Sequence, residues 1–528
     1  MMQSGASPLA SYAANGFAPE LVADFIREKY FVNEVATTFA GMIDYTGGLS
    51  TMADSDGVLK WAPHNDVDSP AAPATQNIVV VVGAKHTVEM TGSGSVTLSG
   101  AGSGSVTAGS PVEVTATTTT LTLTVVGTVS AMWSYRSDLG GMVDNPDTGS
   151  SYVPVQGFLP RRGNHKWNGT AWVNAGLKIE SAAATNLIPY SDLSGGWGED
   201  RSTLSYNAAV SPDGTANATL LTEDTTPNNN HGCSELVNAP SSTSAVVFSV
   251  YLKTNGRRYA QLRVNDDAAN VGGSANSYNV VVDLQTAAIT GTGTSRGTVS
   301  VPVSGVEDIG NGWVRAYIGL TKFSGSVRTD VSVFLSNIPS YSANPTYTGD
   351  GVSGAYIYGA QLEVGSVPSS YMPTNGAEAT RIAQTASIAG AKMPAYTNAV
   401  SIALKGDMTG ATATPVQWQA DASNLIKQSA ASSTFTFAQE TAGTLDTVVG
   451  GSFTAGVNTA FNIASRHGST FINGAADGTA LTADTTPTAI TDLSSTAFKI
   501  ADIGPMNIAQ VLVWPEDIGN TGIEEASA

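Results

Sequence analysis

Short runs that alternate apolar and polar residues, each closed by glycine or a small polar turn, recur along most of this 528-residue chain. Val88-Glu-Met-Thr91, Ser95-Val-Thr-Leu98, Val112-Glu-Val-Thr115 and Leu121-Thr-Leu-Thr-Val-Val126 show the pattern in one stretch. Period-two alternation puts one face of a strand on a core and the other in water, which no helix tolerates. The composition agrees: glycine is frequent (56) and charged side chains make up only 13%. Valine and threonine favour strands, and the long helix formers are scarce. An all-β chain follows, long enough for roughly three or four domains.

Charge and thiol content narrow the class. The formal net charge is −19, and such a surface repels phosphate backbones and anionic lipid, so no nucleic-acid partner is expected. The single cysteine, Cys233, allows no intrachain disulfide. No apolar run approaches the ~20 residues needed to cross a bilayer, and Ile78-Val-Val-Val-Val82 reads as a buried strand. The opening residues carry no basic stretch followed by an apolar one, so no export signal is expected.

Along the chain, residues 1–18 read as a flexible arm or docking segment. In 19–30, Leu21, Val22, Phe25 and Ile26 fit one face of a helix, yet a strand is the preferred reading. A strand, an Asp56-Gly57 turn and a second strand follow over 51–59. Residues 64–147 read as a small β-sandwich. Residues 148–184 form a linker containing Arg161, Arg162, His165 and Lys166, the most basic stretch of an acidic chain. Asn168-Gly169 marks a tight hairpin with Trp167 and Trp172 on its paired strands. This stretch is either a sugar-stacking or acidic-ligand surface or a connecting hairpin whose tryptophans cover a domain joint, the arginines then pairing with carboxylates; the joint is preferred.

Residues 185–385 hold an ordered set of phrases. They are Thr185-Asn-Leu-Ile-Pro-Tyr-Ser191, Trp197, Ser211-Pro-Asp-Gly-Thr215, Val250-Tyr-Leu-Lys253, Gly310-Asn-Gly-Trp-Val-Arg315, Tyr358-Gly-Ala-Gln-Leu-Glu363, Ser370-Tyr-Met-Pro-Thr374 and Thr380-Arg381. The set resembles the carbohydrate-binding-like jelly roll repeated through virion proteins of tailed bacteriophages. The final unit, 386–528, carries Phe471-Ile-Asn-Gly-Ala475 and a late apolar strand ending Trp514-Pro515. It resembles laminin-G or concanavalin-like sandwiches. Met132-Trp-Ser-Tyr135 with Gly149-Ser-Ser-Tyr-Val-Pro154 echoes Tyr356-Ile-Tyr358 with Pro368-Ser-Ser-Tyr-Met-Pro373, as a degenerate internal repeat would.

The resemblance implies a virion protein, a tail fibre or tail-tip receptor-binding protein presenting sandwiches to host glycans. A capsid decoration or head-fibre protein is the alternative, and a polysaccharide depolymerase a third. It implies that residues 1–63 dock on other virion proteins, that the chain forms a homotrimer, and that it leaves its host's cytoplasm by lysis. The usual Thr-Arg-Ala-Ser phrase of such proteins is eroded here to Thr46-Gly-Gly-Leu-Ser-Thr-Met-Ala53, without its arginine.

Candidate residues follow. Trp167, Trp172, Tyr206, Tyr259 and Tyr278 could stack on pyranose rings. Trp313, Arg315, Gln361, Glu363 and Tyr371 belong to the strand phrases, with a structural role preferred; Arg315 could pair with Glu363 or another carboxylate. Asp266 and Asp267 are calcium candidates, though a solvated turn is the preferred reading, and Glu223-Asp224 is given no metal role. No other cofactor is expected. His64, His86, His165, His231 and His467 stand alone, without a zinc or hydrolase motif, so no catalysis is expected.

Overall fold

The structure, a computed structural model, describes residues 8–240, 244–266, 276–297, 299, 302–322 and 325–528. It is all-β, built from antiparallel sheets packed as sandwiches in series.

The small sandwich pairs a four-stranded sheet with a three-stranded one. The first runs Gly104–Val106, Ser95–Gly100, Thr120–Val126, Gln76–Val79, and the second Val112–Thr115, Lys85–Gly92, Val129–Arg136. Its core is one parity of each strand: Val88 and Met90, Val96 and Leu98, Leu121 and Leu123 fill the space between the sheets.

The jelly roll stacks two six-stranded sheets. The first is ordered Gly198–Asp200, Gly232–Asn238, Arg328–Ser336, Tyr259–Asp266, Ser277–Asp283, Ala288–Arg296. The second is ordered Ser202–Ala209, Ala218–Glu223, Gly354–Val364, Ala245–Asn255, Trp313–Thr321, Val303–Asp308. Phe248, Leu252, Leu262, Val331, Ile357 and Leu362 fill the space between them.

The third sandwich departs from the expected boundaries. Its large sheet contains Ala399–Gly410, Gly456–Gly468 and Pro505–Trp514, and it continues into Leu21–Asp24, Lys29–Val32 and Val35–Thr37 from the other end of the chain. Leu21 lies opposite Val513 and Ala23 opposite Val511. Ile43–Thr46 closes the seven-stranded sheet beside Thr385–Ile388, and Leu177–Glu180 from the linker also pairs with Pro505–Trp514. The stretch 1–63, expected as a separate docking segment, therefore supplies strands to both sheets of the last sandwich. Residues 21–24 are strand, with all four side chains buried. Leu21 and Ala23 face the inter-sheet core; Val22 faces a second cluster with Leu9, Tyr12, Trp514 and Ile523 of the C-terminal helix Gly519–Ala526. A strand covered on both faces loses its alternation, which is why its sequence also fits a helix.

One buried group sets a pH dependence. Glu235, on Gly232–Asn238, is 7% exposed, and its carboxyl has no hydrogen-bond partner among the described residues. Burial pushes its pKa up to about 7 from 4.5. The folded state then holds this proton more tightly than the unfolded chain. The associated stability is complete below pH 4.5 and is lost as the pH rises through about 7. Glu235→Gln should be more stable than the parent by about 2 kcal/mol at pH 8 and equal to it near pH 4. Urea titrations at the two pH values check this.

Candidate functional site

The phrases scattered over 185–385 converge at one end of the jelly roll. Asn186 donates from Nδ2 to the carbonyls of Ala360 and Met372 and accepts at Oδ1 from the amides of Ile188 and Leu362. The Tyr358 hydroxyl donates to Asp213 at 3.0 Å, and Asp213 also accepts from Ser211, Thr215 and Asn217. Tyr371 pairs with Ser191 at 2.8 Å, and Gln361 Oε1 accepts from the Met372 amide. The rings of Tyr251, Tyr358 and Tyr371 pack against one another, tilted or edge-to-face, at 5.4–6.1 Å between centroids. Trp313, 3% exposed, packs in the same cluster with Trp61. These phrases clamp the segment 368–374 onto the second sheet.

Glu363 and Arg315 form no ion pair with each other. Glu363 accepts from Gln361 Nε2 at 2.7 Å and from the Ser369 amide at 3.0 Å, and burial pushes its pKa up. Arg315 directs Nη2 to Ser249 Oγ and the Ser369 carbonyl and lies 5.3 Å over the Tyr251 ring. The separation arises because Ser369 sits between the two groups, satisfying one with its amide and the other with its carbonyl. The small sandwich carries a reduced version of this clamp. There Trp133 meets Tyr152 edge-to-face at 5.0 Å, and Ser151 donates to Glu89 as Ser369 does to Glu363.

Beside the clamp lies a cavity of about 110 Å³ where the jelly roll, the linker and the last sandwich meet. The jelly roll contributes Tyr251, Arg315 and Glu307, directly opposite one another on three adjacent strands and therefore on one face, with Tyr317 nearby. The nine-stranded sheet contributes Asn458, Asn507 and Lys178, the last two cross-strand partners. The linker hairpin contributes His165 and Trp172.

Charge is distributed unevenly around this space. Glu180 lies at its edge but is fixed between Arg161, at 2.7 Å, and Arg381, at 3.2 Å. Burial alone would raise the Glu180 pKa, yet the two guanidiniums hold it well below the usual carboxylate range. The Lys178 ammonium makes no ion pair or hydrogen bond among the described residues, and burial pulls its pKa down. Burial pushes the Glu307 carboxyl up; Asn458 donates to it. Arg315 Nη1 and the Trp172 indole nitrogen make no hydrogen bond among the described residues.

The other sequence candidates are dispersed. Trp167 and Trp172 pair across the hairpin at 5.9 Å and pack on Gly310, while Gly57 lies against Trp172, so they cover the joint. A Cβ on Gly57 would come within 1.9 Å of the Trp172 ring. Arg162 pairs with Glu28 and Asp147, and Lys166 with Asp407. Tyr206 is 49% exposed on the outer strand of the second sheet, whereas Tyr259 is half-buried on the first. Tyr278 is a core residue and presents no ring to a ligand; all seven residues of Ser277–Asp283 are buried, so alternation cannot reveal its facing. These three tyrosines form no common platform. Asp266 is fully buried, which excludes the solvated turn as its setting, and Asp267 lies outside the described residues. Among the described residues no group of three or more His, Cys, Asp or Glu is placed to hold a metal. Glu223 is occupied by Arg257, the Tyr347 hydroxyl and the Asp350 amide. No helix among the described residues is long and apolar enough to cross a membrane.

Sequence reading missed Lys178 and Glu307. Neither belongs to a phrase, and their approach depends on the linker strand joining the last sandwich.

No family model matches the chain, and no curated protein matches it. Among solved structures it is similar to mouse laminin alpha1 chain, domains LG4-5, with 10% identity and a TM-score of 0.19 over 54% of this chain and 86% of that one. It is also similar to the N-terminal CBM22-1-CBM22-2 tandem domain from Paenibacillus barcinonensis Xyn10C, with 10% identity and a TM-score of 0.22 over 67% and 99%.

Proposed function

We propose that this chain is a virion protein of a tailed phage that attaches to carbohydrate through the cavity at the junction of its modules. The observation that carries the binding half is the cavity itself. It joins an indole and two phenol rings to hydrogen-bonding groups that lack protein partners, the combination that holds a sugar ring and reads its substituents. The virion half rests on the ordered phrases of 185–385, which act together as one clamp.

Binding without hydrolysis is the preferred reading. Glycoside cleavage needs two carboxyl groups free to act on one bond. Here Glu307 has only Glu180 as a lining companion, and Glu180 is held by Arg161 and Arg381.

A decoration protein of the capsid is the second reading, favoured by one observation. Residues 21–46 are built into the last sandwich, which removes a large part of the segment expected to anchor a tail fibre. Immunogold labelling of purified particles with an antibody against residues 186–376 separates the readings. Gold at the tail is the expected result, and gold over the head would favour decoration. Particles without gold would overturn the virion assignment.

A further inference from the structure

The junction cavity has more donors than acceptors. Lys178 brings an ammonium without a partner, Arg315 a free Nη1, and Trp172 an indole N–H. Tyr251 and Tyr317 bring hydroxyls that make no hydrogen bond among the described residues. Arg315 Nε is also buried without an acceptor. Only Arg315 Nε is shut off from water; the other donors open onto the cavity, where an acceptor-rich guest would match them. The facing carboxylates oppose such a guest only weakly. Glu180 is neutralised by two arginines, and burial already disfavours the charged form of Glu307. Burial likewise disfavours the Lys178 ammonium, so an incoming anion would restore what burial removes. The setting is local: the chain as a whole carries −19.

We infer that the cavity takes a sugar residue bearing a carboxylate, with Lys178 and Arg315 receiving the carboxylate and Trp172 covering the ring. The inference rests on the carbohydrate-binding reading above and names its ligand class. A neutral sugar would leave the ammonium with no contacting counter-charge, since Glu180 and Glu307 act on it without forming an ion pair, and a bare carboxylate would leave the aromatic wall without a ring. The combination selects uronic or sialic acid units of a polysaccharide or glycan over either part alone.

The test is calorimetric titration of the full chain with three probes. These are a uronic-acid oligosaccharide, the same oligosaccharide with its carboxylates reduced to alcohols, and sodium acetate. The acidic oligosaccharide is expected to bind, with reduction weakening it on the order of tenfold or more and acetate binding weakest. Lys178→Met should lower affinity for the acidic oligosaccharide by a similar factor at an unchanged melting temperature. Lys29→Met, an exposed lysine outside the cavity, should change nothing. Trp172→Ala should weaken the acidic and reduced oligosaccharides alike, a second readout that does not depend on Lys178. Equal binding of the acidic and reduced oligosaccharides, unaffected by Lys178→Met, would overturn the inference and leave carbohydrate binding intact. If a sialylated oligosaccharide binds where the uronic one fails, the class stands. If no acidic or neutral oligosaccharide binds the folded chain, both readings fall.

Discussion

Glu180→Gln is expected to destabilise the chain by about 3–5 kcal/mol, read as a lower urea midpoint by tryptophan fluorescence. Arg161 has no exposed side-chain surface, and Arg381 is 2% exposed. Both guanidiniums point at the one carboxylate, which also accepts from the Ser370 amide at 2.6 Å. Removing that charge leaves two buried cations facing each other, with only Gln384, Ser370 and backbone carbonyls as neutral acceptors. The three residues come from the linker and from the strand Ala379–Arg381 that ends the jelly roll. The lost charge therefore loosens the joint between modules, and the cavity with it. The triple variant with Arg161, Arg381 and Glu180 all replaced by apolar residues of similar size should recover much of the loss, because the penalty lies in the unpaired charges.

The second large effect concerns truncation. A chain beginning at residue 47 should fail to fold its last sandwich, while the jelly roll keeps its own core. Leu21, Ala23, Phe25, Tyr30, Phe39, Met42 and Ile43 all belong to the inter-sheet core of that sandwich. Phe25, Tyr30 and Phe39 form a ring cluster with centroids 5.7–6.1 Å apart. Their removal leaves the Gln510–Val513 part of Pro505–Trp514 as an unpaired strand edge with apolar residues on both faces, a template for aggregation. Limited proteolysis of the truncated chain should leave a resistant fragment spanning about 185–385 and digest the region after 386. Protection of 386–528 equal to that in the full chain would overturn the expectation.

The contrast between the two ends of the chain shows what sequence could and could not reveal. The all-β class was legible because Leu121, Leu123, Val96 and Leu98 occupy alternate positions in half-exposed strands. The clamp was legible as a set of phrases, although nothing in the phrases disclosed that Ser369 would stand between Arg315 and Glu363. The sharing of sheets between residues 21–46 and 399–514 was not legible. Antiparallel pairing is made by backbone groups common to all residues, so a partner hundreds of positions away leaves no local mark. The cavity was hidden for the same reason, since Lys178 and Glu307 meet only after that pairing forms. Tyr278 was misplaced because its strand is buried on both faces.

The joined ends also impose an order in time. Leu21–Asp24 leaves the ribosome hundreds of residues before its partner Pro505–Trp514. At ordinary synthesis rates of about 5–20 residues per second, the early strands wait on the order of half a minute or longer. During that wait the jelly roll can complete itself, whereas the last sandwich cannot. A ribosome that stops short of residue 505 leaves Leu21–Asp24 without its partner strand and the last sandwich open at that edge.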